Sequence, residues 1–143
     1  MSGHNIVVAD SDVLIGLINP NDPLHDRCLK ISEYLSEENF ISLVPYPIVL
    51  EAATALVKDK TIRRPDLAKR LLKDYSNPIP NKGFNLNVAR EVAQLYNPRT
   101  SKKNSPFDFY VLALAKKNAI KYVFSFDSFY QKHGLILAEE LLS

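Results

Sequence analysis

A single-domain α/β/α sandwich with a central, mostly parallel sheet is the fold this sequence predicts, and three observations predict it. Short runs rich in apolar and β-branched residues occur at positions 6–9, 40–44 and 121–125. The stretches between them carry apolar residues at helical spacing. The resulting order of strand, helices, strand, helices, strand favours parallel pairing, because parallel strands require long crossovers. With 143 residues, 46% of them hydrophobic, the chain has material for one core, so residues 1–143 are expected to form one domain.

The first strand, 6–9, is a continuous apolar run of the kind buried on both faces, and it ends at Asp10. Ser11 is expected to cap a short helix over 13–18, which Asn19-Pro20-Asn21 stops. Asp22-Pro23 opens the next helix, whose apolar positions are Cys28, Leu29, Ile31, Tyr34 and Leu35. After the second strand, 40–44, Pro47 prepares a helix that begins near Ile48 and carries Glu51. A further helix over 66–75 places Leu67, Ala68, Leu71, Leu72 and Tyr75 on one face. The prolines of 77–81 restrict that segment to an edge strand or an extended loop. Helical spacing resumes over 86–96, and 97–105 is a basic loop containing Arg99, Lys102 and Lys103. Pro106 starts a helix through Asp108 to about Asn118, and the strand over 121–125 is terminated by Asp127.

Composition narrows the function classes. Charged residues are 24% of the chain, which argues against a disordered or fibrous protein. The single cysteine, Cys28, excludes an intramolecular disulfide and a thiolate zinc cage, and fits a reducing, cytoplasmic setting. No basic leader precedes the first strand, and no apolar run approaches the ~20 residues of a membrane span, so neither secretion nor membrane insertion is expected. The net charge of +2 is nearly neutral, but if four acids converge on one site, 18 cations face 12 remaining carboxylates, a bias suited to polyphosphate.

Asp10 and Asp127 each follow the carboxyl end of an apolar strand, where ligands collect in open parallel sheets. Glu51 and Asp108 sit near the starts of alanine-rich helices expected to pack into the core. Either helix acid alone is explained by capping and the helix dipole, and either strand-end acid by a turn. All four together are not, because withdrawn carboxylates repel one another unless a cation compensates them. Oxygen-only ligands select Mg²⁺ or Mn²⁺, and such an ion can ionise water and stabilise a leaving oxygen in phosphodiester hydrolysis.

These residues carry a resemblance. Ile6-Val7-Val8-Ala9-Asp10-Ser11, Pro47-Ile48-Val49-Leu50-Glu51-Ala52, the run from Ser105-Pro106-Phe107-Asp108 to Ala113, and Phe124-Ser125-Phe126-Asp127 resemble, in order, the motifs of the PIN-domain family. The likeness spans Ile6 to about Gly134 and is nearest to VapC-like toxins. It implies a PIN-like fold, endonucleolytic RNA cleavage with Mg²⁺ or Mn²⁺, a homodimer and an antitoxin partner. It further implies that Asp10, Asp108 and Asp127 are the main metal ligands. Glu51 would bind the metal or orient its water, and Ser11 and Ser125 would support the site by hydrogen bonds. Asp12 departs from the pattern. Were it helical together with Asp10, it would point about 200° away.

Other features are weaker. Lys102 and Lys103, just before the helix of Asp108, are the preferred RNA contacts, ahead of Arg63-Arg64, Lys69-Arg70 and Lys116-Lys117. Tyr46, Phe107 and Tyr110 could stack on bases, although packing is the commoner use of such rings. His25 has no visible catalytic partner and reads as a packing residue, as does Cys28. The contact face for a dimer is expected around 67–75. Two alternatives stand beside the nuclease: a haloacid-dehalogenase-like phosphatase using Asp10 and Asp12, and a catalytically inactive PIN-like module that binds RNA or protein.

Overall fold

The computed structural model describes residues 5–77, 83–100 and 103–142. Four strands, β1 (Ile6–Ala9), β2 (Ile41–Leu43), β3 (Tyr122–Phe124) and β4 (Ile136–Leu137), form one all-parallel sheet in the order β2-β1-β3-β4. Among the described residues seven α-helices flank it: α1 (Ser11–Ile18), α2 (His25–Glu37), α3 (Tyr46–Lys58), α4 (Pro65–Asp74), α5 (Ala89–Leu95), α6 (Pro106–Lys117) and α7 (Ser128–Lys132). A 3-10 helix, Ala138–Leu142, follows β4. The architecture is the expected α/β class.

Strand β1 is the centre of the core. Val8 pairs with Leu43 on one side and Val123 on the other, and all four β1 residues are buried. Covering both faces with helices removes any need for polar alternation along the strand. From β1 the chain runs through α1 and α2 outward to β2, while from β3 it runs through α7 to β4 on the opposite side. The path therefore reverses between β1 and β3, and a crevice opens beyond their carboxyl ends. The Asp10 amide donates to the Phe124 carbonyl at 3.1 Å and holds the two strand ends together at that point.

Three helices turn into strands by one device. At the ends of α2, α6 and α7 a residue in the left-handed region, Asn39 (φ 60°), Ala119 (φ 54°) or Gly134 (φ 88°), lets the chain fold back. The next amide then donates to a carbonyl five residues earlier: Phe40 to Leu35, Ile120 to Ala115, Leu135 to Tyr130. These bonds satisfy otherwise orphaned helix carbonyls and deliver the chain to β2, β3 and β4.

Several boundaries differ from the sequence expectation. Asp10, rather than Ser11, caps α1, because its extended backbone (φ −102°, ψ 170°) lets its carboxylate accept the Ser11 amide. Asp22 accepts the Leu24 amide at 2.8 Å, and this local turn delays α2 to His25. In the same way Asn85 accepts the Asn87 amide, and α5 begins only at Ala89. Leu29 is exposed, whereas Cys28, Ile31 and Leu35 are buried. Of the face expected to form a dimer contact, Leu67, Ala68 and Leu71 of α4 are buried within the chain, packed on the side of α3, while Leu72 and Tyr75 are half-buried. The proline segment 78–82 and Lys102 lie outside the described residues. No helix among the described residues is long and apolar enough to cross a membrane.

Candidate metal centre

Asp10, Glu51, Asp108 and Asp127 come from four different elements and line one open pocket of about 340 Å³ at the β1–β3 crevice, together with Ser11, Asp12, Lys103, Ser105 and Phe126. Asp10 is the residue after β1; its Oδ1 accepts the Ser11 amide at 2.8 Å and its Oδ2 accepts the Tyr130 hydroxyl at 2.7 Å. Asp108 lies in the first turn of α6, where Ser105 makes a capping box. The Ser105 hydroxyl accepts the Phe107 amide, and Asp108 Oδ2 accepts the Ser105 amide at 2.9 Å. Asp127 caps α7, its Oδ1 accepting the Phe129 amide at 2.9 Å. Edge-on packing of Phe109 against Phe129, with centroids 5.0 Å apart, locks the starts of α6 and α7 side by side.

Neutral donors bridge these acids. Asn104 Nδ2 reaches Asp108 Oδ2 at 3.2 Å and Asp127 Oδ2 at 3.0 Å, and the Tyr130 hydroxyl also lies 3.5 Å from Asp108 Oδ1. Among the described residues no three acidic, histidine or cysteine side chains are gathered tightly enough, as they stand, to enclose one ion. Glu51 nonetheless has a buried oxygen, Oε1, with no hydrogen-bond partner. A buried acceptor left unmet is costly, and a hard cation is one chemistry that would meet it. The donor set is all oxygen, which fits Mg²⁺ or Mn²⁺ better than zinc.

Electrostatics point the same way. Burial first, then the charge of Asp12, pushes Asp10 up to about 8, against the opposing bonds from Tyr130 and the Ser11 amide. Burial also raises Asp12, Glu51 and Asp108 above the ordinary carboxylate range, and the Ser11 side chain partly offsets this at Glu51. Burial and the neighbouring Asp10 push the Tyr130 hydroxyl well above its usual value, so it remains a donor. Such clustered shifts are typical of sites that bind cations or move protons.

Asp12 was expected to point away and does not. Asp10 is extended rather than helical, so the rotation between two helical positions does not apply. Asp12 Oδ2 instead accepts the Phe126 amide at 2.8 Å and lies 3.1 Å from the Ser125 hydroxyl. Ser125 is 3.4 Å from Asp10 Oδ2 and accepts the Asp127 amide at 3.2 Å, joining the first and last acids. Tyr130, Asn104 and Ser105 were not singled out from the sequence. Only Ser105 carried a readable signal, the serine three residues before an acid that marks a capping box.

The remaining candidates separate from the pocket. Tyr46 and Tyr110 line a separate apolar concavity of about 630 Å³ beside α4, and Phe107 is exposed on α6. The pocket rich in carboxylates is smaller. His25 donates from Nδ1 to the Gly16 carbonyl at 2.7 Å, tying α2 to α1. Arg64 pairs with Asp66 and Lys117 with Glu91, so two of the basic pairs are engaged in surface bridges.

A family model described as PIN domain matches residues 7–134. Among solved structures, Mycobacterium tuberculosis VapC20, described as a sarcin-ricin loop cleaving toxin, superposes with a TM-score of 0.71 at 12% identity, covering 91% of this chain and 96% of that one. No curated protein matches the sequence significantly.

Proposed function

The chain belongs to the PIN domain family, and on that premise we propose that it is a Mg²⁺- or Mn²⁺-dependent endoribonuclease. The observation that carries this reading is the convergence of Asp10, Glu51, Asp108 and Asp127 on one pocket that also holds an unsatisfied buried carboxylate oxygen. These four residues would hold the cation. Bound there, the ion would supply Lewis-acid chemistry, making water nucleophilic near neutral pH and neutralising charge on the phosphate. Asp10 and Asp127 set the floor of the pocket from the two strand ends, and the α6 capping box fixes Asp108. Ser11 orients Glu51, and Ser125 couples the turns that carry Asp10 and Asp127. Lys103 lines the same pocket and would draw the RNA backbone toward it, with Lys102 beside it in sequence.

The fold shared with a VapC toxin supports a further reading, in which the protein acts in the cytoplasm as the toxin of a toxin–antitoxin pair and works as a homodimer. The exposed Leu50 and Val57 of α3, beside the half-buried Leu72 of α4, would offer apolar side chains to a second copy. Family membership places the chain apart from haloacid-dehalogenase-like phosphatases.

The test is cleavage of RNA by purified protein in Mn²⁺, in EDTA, and after Asp10→Asn or Asp108→Asn. Internal cuts that require Mn²⁺ and fall by orders of magnitude in both variants are expected. RNA binding without metal-dependent cleavage would favour the inactive module instead.

A further inference from the structure

Asn104, a neutral side chain on the loop before α6, donates to two of the four carboxylates. A carboxamide nitrogen carries two hydrogens, so it can satisfy Asp108 Oδ2 and Asp127 Oδ2 together, at 3.2 and 3.0 Å. The two acids have little else in common: one belongs to the first turn of α6 and the other to the turn after β3. The Ser105 amide bond to Asp108 and the Phe129 amide bond to Asp127 are local to each helix start, and the longer contact from the Tyr130 hydroxyl to Asp108 Oδ1, at 3.5 Å, ties that acid to Asp10 rather than to Asp127. Asn104 is therefore a hydrogen-bonded link between them.

Resting on the metal-site reading above, we propose that Asn104 is a positioning residue that bridges Asp108 and Asp127 in the metal-free protein and gives up its place to the cation. An amide offers two partial positive charges where the ion would offer two full ones, so it holds the acids in register without closing them onto a point. A cation drawing on the same two oxygens would compete with both bonds. Removing the amide consequently has two effects of opposite sign. The metal-free protein loses a contact that offsets carboxylate repulsion, and the ion no longer competes with a donor. An asparagine that merely supported the fold would, on removal, weaken both stability and metal binding.

Calorimetric titration of metal-free protein with Mn²⁺ at one fixed pH, paired with thermal melts, tests this on wild type, Asn104→Leu and Asn104→Ala. Leucine keeps the size without the donors, and alanine guards against a steric effect of leucine. Both variants are expected to melt a few degrees lower without metal and to bind Mn²⁺ about tenfold more tightly, the scale of one or two such bonds. Wild type that binds Mn²⁺ while both variants bind it equally or more weakly would overturn the role of Asn104 alone. Failure of wild type and variants alike to bind Mn²⁺ would overturn the metal site and this inference with it.

Discussion

Asp10 combines the tightest burial in the pocket with a charge it can scarcely hold. It is 4% exposed and its carboxyl is pushed up to about 8, chiefly by burial. Between the ordinary value of 3.8 and about 8, the folded chain keeps a proton on Asp10 that the unfolded chain has released. Folding therefore binds protons in that window, and the metal-free protein loses stability as pH rises through it. Asp10→Asn removes the titration, so it is expected to stabilise the metal-free fold by on the order of 2 kcal/mol at pH 8 and by little at pH 4, while abolishing cleavage. Urea melts at the two pH values check this; equal effects at both would show that charge is not the cause. At this scale the sequence was partly readable. Acids that follow apolar strands or open core helices declare themselves by position. Asp12 and Tyr130 do not, because their roles depend on Asp10 being extended and on α7 folding back across the strand ends.

Helix ends decide where the strands begin, and one of them carries a strained residue. Ala119 occupies the left-handed position at the end of α6 that Gly134 fills after α7. A Cβ there costs roughly 1 kcal/mol, so Ala119→Gly is expected to stabilise the protein by about that amount without altering activity, measured by denaturant midpoint at constant slope. Gly16 shows the opposite constraint. A Cβ added there would lie 2.6 Å from the Cys28 sulfur, where α1 crosses α2. Gly16→Ala should therefore destabilise by about 1–3 kcal/mol despite its better helix propensity. Gly16→Ala combined with Cys28→Ala should recover part of that loss, and strict additivity in a double-mutant cycle would remove the clash as the cause. Long helices with apolar stripes were legible in the sequence. The shorter α7, β4 and closing 3-10 helix were not, since two to five residues carry no measurable period and take their form from neighbours already in place.

Over the whole molecule the four acids are brought together by sheet order, and the ion they would hold should report on the entire fold. Mn²⁺ binding only the folded state raises stability with concentration, by about 2.7 kcal/mol at a hundredfold excess over its Kd. Thermal melts are expected to rise with added Mn²⁺ and fall back with EDTA, and Asp10→Asn should blunt the rise. The α/β class was legible because parallel strands and their crossovers alternate along the chain. The order β2-β1-β3-β4 was not, since nothing local states which strand lies beside which. That order also has a temporal consequence. β1 is synthesised well before its partner β3 and the turn bearing Asp127. During translation Asp10 would therefore wait, without its later neighbours, until the segments carrying Asp108 and Asp127 had emerged, so the four-carboxylate pocket would assemble as a late event.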